Sequence, residues 1–438
     1  MRYLIIGNSA AGLNGAEAIR RFDRQGAVTI VSEEEYPAYS RCLIPYFMEG
    51  KVGEDDMLYR PPDYYDKNKF SLILGRKAVR VNSAKRQVAL DDGTEVRYDR
   101  LLIASGASPR KAESAGMDKE GIFGFRTTKD LQDILKALKT TRNAIVTGGG
   151  CVGLMAASGL KAKGAAVTIV ISSAHLLSQV ADREAGEIFR KRFEANGVKV
   201  LTRATIAEVR GAHRVEGVRL DNGQELDCQL IIAGKGVSPN IEFLEGSGVA
   251  TATGVLADAC LRTSVAEIYA AGDVAETRDI VTGQRTVNAI WPCAAEQGRI
   301  AGANMAGQSF AYEGSMRMNS AEFFGLPLIS VGLVRPPAEG YESLTRHNEE
   351  RGVFRKVVLK DNVLVGVVMV GEIESAGVYR ALMCKKVNVS SIKERLLDRD
   401  FGYHLVLPLV AQHSDKFSEP AWRHSVLTYD SNRNACAT

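Results

Sequence analysis

The chain has 438 residues, of which 45% are hydrophobic and 25% charged, and a formal net charge of +4. That length predicts two or three domains with a sizeable core, and the scattered basic residues give no special support for nucleic acid or membrane binding. No apolar run approaches the roughly 18 residues needed to span a bilayer. The seven cysteines (42, 151, 228, 260, 293, 384 and 436) form no CxxC pair, which argues against a disulfide framework and against a metal site.

Residues 3–6, YLII, read as a strand that ends at Gly7 rather than as a signal peptide, so a cytoplasmic location is expected. A turn and a helix follow. Gly7 and Gly12 take the outer places of a GxGxxG pattern, with Ser9 at the middle glycine and Ala10 and Ala11 beyond it. Small residues there let the helix N-terminus approach a pyrophosphate. The next strand, AVTIVSEE, ends near Glu33, 21 residues past Gly12, where a carboxylate accepts ribose hydroxyls.

Cys42 then stands alone in AYSRCLIPYFMEG (38–50). Two readings are open: a small apolar core residue, or a thiol with chemistry, whose pKa a nearby cation such as Arg41 would lower. The stretch LLIASGASPR (101–110) is an apolar strand that ends in Ala104, Ser105 and Gly106.

The whole pattern recurs from 143 to 173. Gly148, Gly150 and Gly153 complete GxGxxG, with Cys151 and Val152 between the last two and Ala157 small where the helix presses on the sheet. The second strand of this unit ends in Ile171, Ser172 and Ser173, without an acid. LIIAGKGVSPN closes the second unit as 101–110 closes the first. In TSVAEIYAAGDVAE (263–276), Gly272 allows close backbone approach and Asp273 is placed to accept ribityl hydroxyls. A helix is expected across 288–307, which includes Ala294. GVFRKVVLKDNVLVGVVMVG reads as two strands around a KDN turn, SAGVYRALMCKKV as a helix, and the tail bearing Cys436 as a polar segment. Two tandem units imply two dinucleotides, a flavin and a nicotinamide.

The order of these motifs resembles the FAD- and NAD(P)-dependent pyridine nucleotide–disulfide oxidoreductase superfamily over nearly the whole chain. The resemblance implies an α/β fold with two interleaved Rossmann-like domains and a C-terminal α+β interface domain. FAD is then expected on 1–110 with 239–310, NADPH or NADH on 111–238, and homodimerisation through 311–438. The helix containing Ala294 would turn its N-terminus to the flavin, stabilising negative charge there.

YSRCLIPYF resembles the single-cysteine branch: coenzyme A disulfide reductases, persulfide reductases and NADH oxidases. The spacing cysteine, two residues, proline, tyrosine, aromatic matches Cys42, Pro45, Tyr46 and Phe47. Ala10 stands where peroxide-acting relatives carry histidine, which favours a disulfide, coenzyme A disulfide, persulfide or polysulfide acceptor. Arg20 and Arg21 are either coenzyme A phosphate ligands or a solvated helix face. The rival reading is an electron-transfer flavoprotein of the rubredoxin or ferredoxin reductase type, or a subunit of a larger enzyme, with Cys42 not catalytic. Rubredoxin-type relatives share YSR. Met155, where relatives place a glutamate, and Ile171, where NADH users place an acid, point either to NADPH or to a weakened nicotinamide site. Tyr403 is a loose match to a tyrosine that reaches a partner's cysteine, with core packing as its alternative.

Overall fold

The structure is a computed structural model that describes residues 1–110, 114–234, 236–337 and 339–417; Cys436 lies outside the described residues.

Two five-stranded parallel sheets repeat one plan. In the first, the strand Arg2–Ile6 is central, flanked by Ala27–Ser32 and Arg100–Ile103. Phe70–Leu74 and Ile268–Ala270 lie outside these. In the second, Asn143–Thr147 is central between Ala166–Val170 and Leu230–Ala233, with Lys199–Leu201 and Ile122–Phe123 at the edges. These strands are short apolar runs, as expected for parallel sheets covered on both faces. The helices Ala10–Phe22 and Cys151–Ala162 make the crossover in each unit.

The registers match residue for residue. Ile6 pairs with Val31 as Thr147 pairs with Val170, so Ser32 corresponds to Ile171 and Glu33 to Ser172. Ile268–Ala270 joins the first sheet from beyond the whole second unit, which makes the two units interleaved. An antiparallel pair, Ala107–Pro109 with Val237–Pro239, carries the chain between them. Beside it the Ser105 hydroxyl donates to the Asn240 carbonyl at 2.9 Å, and the Asn240 amide returns a bond to the Ser105 carbonyl at 2.9 Å.

Beyond residue 317 comes an antiparallel sheet of five strands. Its strands Val353–Lys360 and Val363–Val370 meet at Asp361 and Asn362, both with positive φ (50° and 58°). That is the hairpin-turn conformation that Asp and Asn tolerate best among non-glycine residues. The helix Ala376–Lys385 follows as read from the sequence. This sheet is packed on the second unit. Phe323 meets Phe189 edge-on at 5.5 Å, Phe324 meets Phe193 at 5.0 Å, and buried Lys356 reaches Asp182 at 2.9 Å.

Tyr403 differs from the core-packing alternative. It opens the helix Tyr403–Gln412 and is 70% exposed, because Val406 and Leu409 supply that helix's buried face. Among the described residues no helix is long and apolar enough to cross a membrane.

Candidate functional site

Both glycine turns are shaped by backbone that leaves no room for a side chain. A Cβ on Gly7 (φ +116°) would lie 2.1 Å from the Ala104 carbonyl oxygen, and one on Gly12 would lie 1.9 Å from that of Gly7. The second unit reproduces this. A Cβ on Gly148 (φ +125°) would fall 2.2 Å from the Gly234 oxygen, and one on Gly153 would fall 2.1 Å from the Gly148 oxygen. Each helix therefore starts pressed against its own turn. Ser9 and Gly150 are the N-caps, and neither makes a side-chain capping bond. Free N–H groups at a helix start are an anion site.

The middle positions differ. Gly150 faces open space, and Val152 in the following turn is 54% exposed. In the first unit Ala10 and Ala11 are buried beneath Ser9.

Helix Trp291–Met305 crosses Ala10–Phe22 at backbone contact. A Cβ on Gly298 would sit 2.2 Å from the Ala11 oxygen, and one on Gly302 would sit 2.1 Å from the Gly15 oxygen. That crossing brings Ala294 and Gly272 to the first turn. Gly272 has φ +85°, where a Cβ would meet Ala11 at 2.9 Å and Ala294 at 3.5 Å. Its N–H donates to the buried Gln297 amide oxygen at 2.8 Å.

Asp273 follows, and Arg126 donates to its carboxylate at 2.9 Å. In the first turn the buried amide nitrogen of Asn8 has no hydrogen-bond partner among the described residues. A carboxylate–guanidinium pair, a turn closed to any Cβ and an orphaned donor fit the phosphates and hydroxyls of a dinucleotide such as FAD. Sequence reading missed Arg126 and Gln297. Arg126 precedes an ordinary capping box at Thr127 and Asp130, and its partner is 147 positions away. Gln297 was detectable as a polar residue amid small residues on a buried helix.

Cys42 lies in a short turn, Arg41–Leu43, ahead of the helix Ile44–Glu49, which Pro45 starts. Ile44, Pro45 and Met48 are buried, whereas Cys42 is exposed. This differs from the core-residue reading. The Arg41 reading also changes. Its guanidinium pairs with Glu34 and donates to the Tyr39 hydroxyl at 3.2 Å and the Arg126 carbonyl at 3.1 Å. The residue is exposed, yet burial around its sulfur, and then the Asp273 carboxylate, push the thiol above the ordinary cysteine value.

A raised thiol pKa leaves Cys42 protonated at neutral pH, with the thiolate growing as pH rises. In the apoprotein, alkylation of Cys42 by iodoacetamide is therefore expected to keep accelerating past pH 8.5, about where a free cysteine titrates. Peptide mass spectrometry reads this directly, and a midpoint below that pH contradicts it.

In the second unit Cys151 is held by burial at about 11, an inert thiol, and Met155 packs against the core. Ile171 is 4% exposed, and a Cβ on Gly149 would sit 3.1 Å from it. The residue that faces out at this strand end is Ser172. Its counterpart Glu33 is exposed and 3.4 Å from Lys77. Arg20 matches neither sequence reading. It donates to the carbonyls of Asp23, Arg24, Gly26, Asn68 and Lys69 and lies over the Phe70 ring, so it pins local backbone.

Residues 1–298 match the family described as pyridine nucleotide-disulphide oxidoreductase, and 318–387 match the rubredoxin NAD+ reductase C-terminal domain. Over 400 residues the chain is 34% identical to NADH-dependent phenylglyoxylate dehydrogenase subunit epsilon of Aromatoleum evansii, covering 90% of this chain and 94% of that one. It is 30% identical over 352 residues to the NAD(P)H coenzyme A polysulfide/persulfide reductase of Pyrococcus horikoshii, covering 78% and 79%. In fold it is similar to the NAD-dependent persulfide reductase of A. fulgidus, with a TM-score of 0.85 at 24% identity, covering 95% of this chain and 84% of that one. The interleaved sheets, the paired glycine turns and these likenesses agree: the chain belongs to the pyridine nucleotide-disulphide oxidoreductase family and is an oxidoreductase that takes FAD and NAD(P)H.

Proposed function

We propose that the chain carries two electrons from NAD(P)H through Cys42 to a disulfide, coenzyme A disulfide, persulfide or polysulfide. The observation that carries this reading is an exposed thiol within electrostatic reach of Asp273, the carboxylate assigned to the first dinucleotide cradle. FAD, when bound, supplies the redox step that joins hydride donor to sulfur.

The chain's own residues do the rest. Gly7, Ser9, Ala10, Ala11 and Gly12 present N–H groups to a pyrophosphate, and Ala104, Ser105 and Gly106 close the turn. Asp273 accepts hydroxyls beside Gly272, Glu33 accepts ribose hydroxyls, and Ala294 keeps the Trp291–Met305 helix close. Gly148, Gly150, Cys151, Val152, Gly153 and Ser172 receive NAD(P)H. Cys42 thiolate attacks one sulfur of a disulfide, which forms a mixed disulfide and expels one thiolate. The expelled thiolate takes up the proton that Cys42 gave up, and two electrons and two protons then restore the Cys42 thiol and free the second thiol. The balance is one NAD(P)H and one proton consumed per disulfide cleaved to two thiols.

Sheet membership supports the domain division at 1–110 with 239–310, 111–238 and 311–438. The exposed Tyr403 and Leu407 on one helix support a homodimer contact in the last of these. Cys42, Cys151, Cys228, Cys260 and Cys293, which form no disulfide among the described residues, support a cytoplasmic setting.

With no carboxylate at Ile171 or Ser172, NADPH is expected to serve at least as well as NADH. Ser172→Asp adds a ribose partner that repels a 2′-phosphate, and should move the NADH-to-NADPH ratio of kcat/KM about tenfold towards NADH. A strong NADH preference in the native protein contradicts this placement.

The acceptor is tested by anaerobic turnover of NAD(P)H with coenzyme A disulfide, a persulfide, rubredoxin and ferredoxin. Saturable turnover with a sulfur compound is expected; turnover with the redox proteins alone overturns the reading. That second outcome defines the alternative, an electron-transfer subunit in which Cys42 is a bystander. The end-to-end likeness to a dehydrogenase subunit and the raised Cys42 thiol favour it.

A further inference from the structure

A cavity of about 450 Å³ opens where three parts of the chain meet. Its walls come from the 279–288 hairpin, from Arg317 and 332–336 in the C-terminal region, and from Gln179 of the second unit. Neither glycine turn, nor Cys42, nor Asp273 lines it. Three guanidinium groups do: Arg285, Arg317 and Arg335.

Among the described residues none of the three forms an ion pair with a carboxylate. Arg285 donates to the carbonyls of Ala257 at 2.9 Å and Glu276 at 3.3 Å. Arg335 donates to the Ser178 carbonyl at 2.6 Å. Among the described residues the Arg317 side chain has neither a hydrogen bond nor an ion pair. The acid in the wall, Asp279, is already engaged. Its oxygens accept from the Val281 N–H (3.0 Å), the Thr282 N–H (2.9 Å) and hydroxyl (3.1 Å), and the Asn288 amide (3.0 Å). Elsewhere the half-buried arginines Arg41, Arg60 and Arg126 each hold a carboxylate.

Three guanidinium groups face a single carboxylate in this lining, so positive charge is in excess there, and an anion between the arginines offsets their remaining repulsion. Guanidinium forks match phosphate and carboxylate oxygens in pairs. The Thr286 hydroxyl adds a neutral donor. The volume is within the range of small-molecule sites, about 300–1,000 Å³.

We propose that this cavity binds a small polyanion bearing phosphate or carboxylate groups, held by Arg285, Arg317 and Arg335. The site is separate from both dinucleotide cradles and ties the C-terminal sheet to the two nucleotide-binding units.

The test is calorimetry on the full-length, FAD-loaded protein with NADP+ saturating, titrated separately with inorganic pyrophosphate, ADP and citrate at about 0.15 M salt, where exposed charge pairs are largely screened. At least one of the three is expected to bind saturably. Pyrophosphate or ADP in preference to citrate assigns a phosphate ligand, and the reverse assigns a carboxylate one. Arg317→Ala and Arg335→Ala should each weaken binding about tenfold or more, and Arg317→Lys, which keeps charge but loses the fork, should weaken it less. The Arg317 side chain has no partner to lose among the described residues, so its substitution is expected to leave the fold intact. The proposal is overturned if none of the three anions binds saturably, if both alanine variants bind as the native protein does, or if binding vanishes once NADP+ is present.

Discussion

Cys42→Ser protein is expected to accept hydride from NAD(P)H at a near-native rate and to lose at least about a hundredfold in turnover with coenzyme A disulfide or a persulfide. Serine keeps the volume and polarity of the side chain but is a far weaker nucleophile at neutral pH. A hundredfold loss corresponds to about 2.7 kcal/mol of transition-state stabilisation, modest for removal of an attacking atom. The position is exposed and its neighbours Ile44, Pro45 and Met48 carry the packing, so the substitution has little stability cost to confuse the result. Stopped-flow absorbance separates the two half-reactions. If both survive, Cys42 is not the electron port, and the electron-transfer reading takes its place.

Gly12→Ala is expected to yield protein that purifies without FAD. The new Cβ would lie 1.9 Å from the Gly7 carbonyl oxygen, a backbone atom that cannot swing aside. The helix start must withdraw and the turn must open, which removes the close approach that a pyrophosphate requires. Gly153→Ala makes the same collision in the second unit, 2.1 Å from the Gly148 oxygen. Its expected outcome is different: protein that stays yellow but is reduced by NAD(P)H at least about a hundredfold more slowly at fixed concentration. Absorbance at the flavin band and anaerobic reduction rates check both. A Gly12→Ala protein with a full complement of FAD, or a Gly153→Ala protein reduced at the native rate, contradicts the assignment of the two cradles.

The parts of this architecture legible in the sequence are those where one residue type is forced by backbone. Gly7, Gly12, Gly148 and Gly153 sit where carbonyl oxygens exclude any Cβ, so the two turns and their repeat announce themselves, whereas the interleaving rested on the family resemblance until Ile268–Ala270 was seen in the first sheet. Asp361 and Asn362 mark their hairpin for a similar reason, since their positive φ favours few other residues. Side-chain partners across long sequence separations leave no such mark. Arg126 reaches Asp273 across 147 positions, and nothing near either residue specifies the other.

Direction is the other hidden quantity. Adjacency suggested that Arg41 would activate Cys42, but the guanidinium turns to Glu34 and Tyr39. Arg20 reads as a surface cation until five carbonyls are seen around it. Tyr403 was ambiguous because a short apolar helix does not reveal which stripe meets the core; Val406 and Leu409 take that side. Ile171 and Ser172 pose the same problem at a strand end, where one step along the chain reverses the face.

The most direct test of the sulfur reading is to look for its covalent product. Native protein is reduced anaerobically with one equivalent of NADPH, oxidised with an excess of coenzyme A disulfide so that the stored electrons are spent and the mixed disulfide persists, quenched in acid and digested for peptide mass spectrometry. The Cys42 peptide is predicted to carry one coenzyme A in mixed disulfide linkage, which dithiothreitol removes and which is absent from Cys42→Ser protein. An unmodified Cys42 peptide from protein that has turned over coenzyme A disulfide would contradict the account, because the electrons would then have reached sulfur without passing through this thiol.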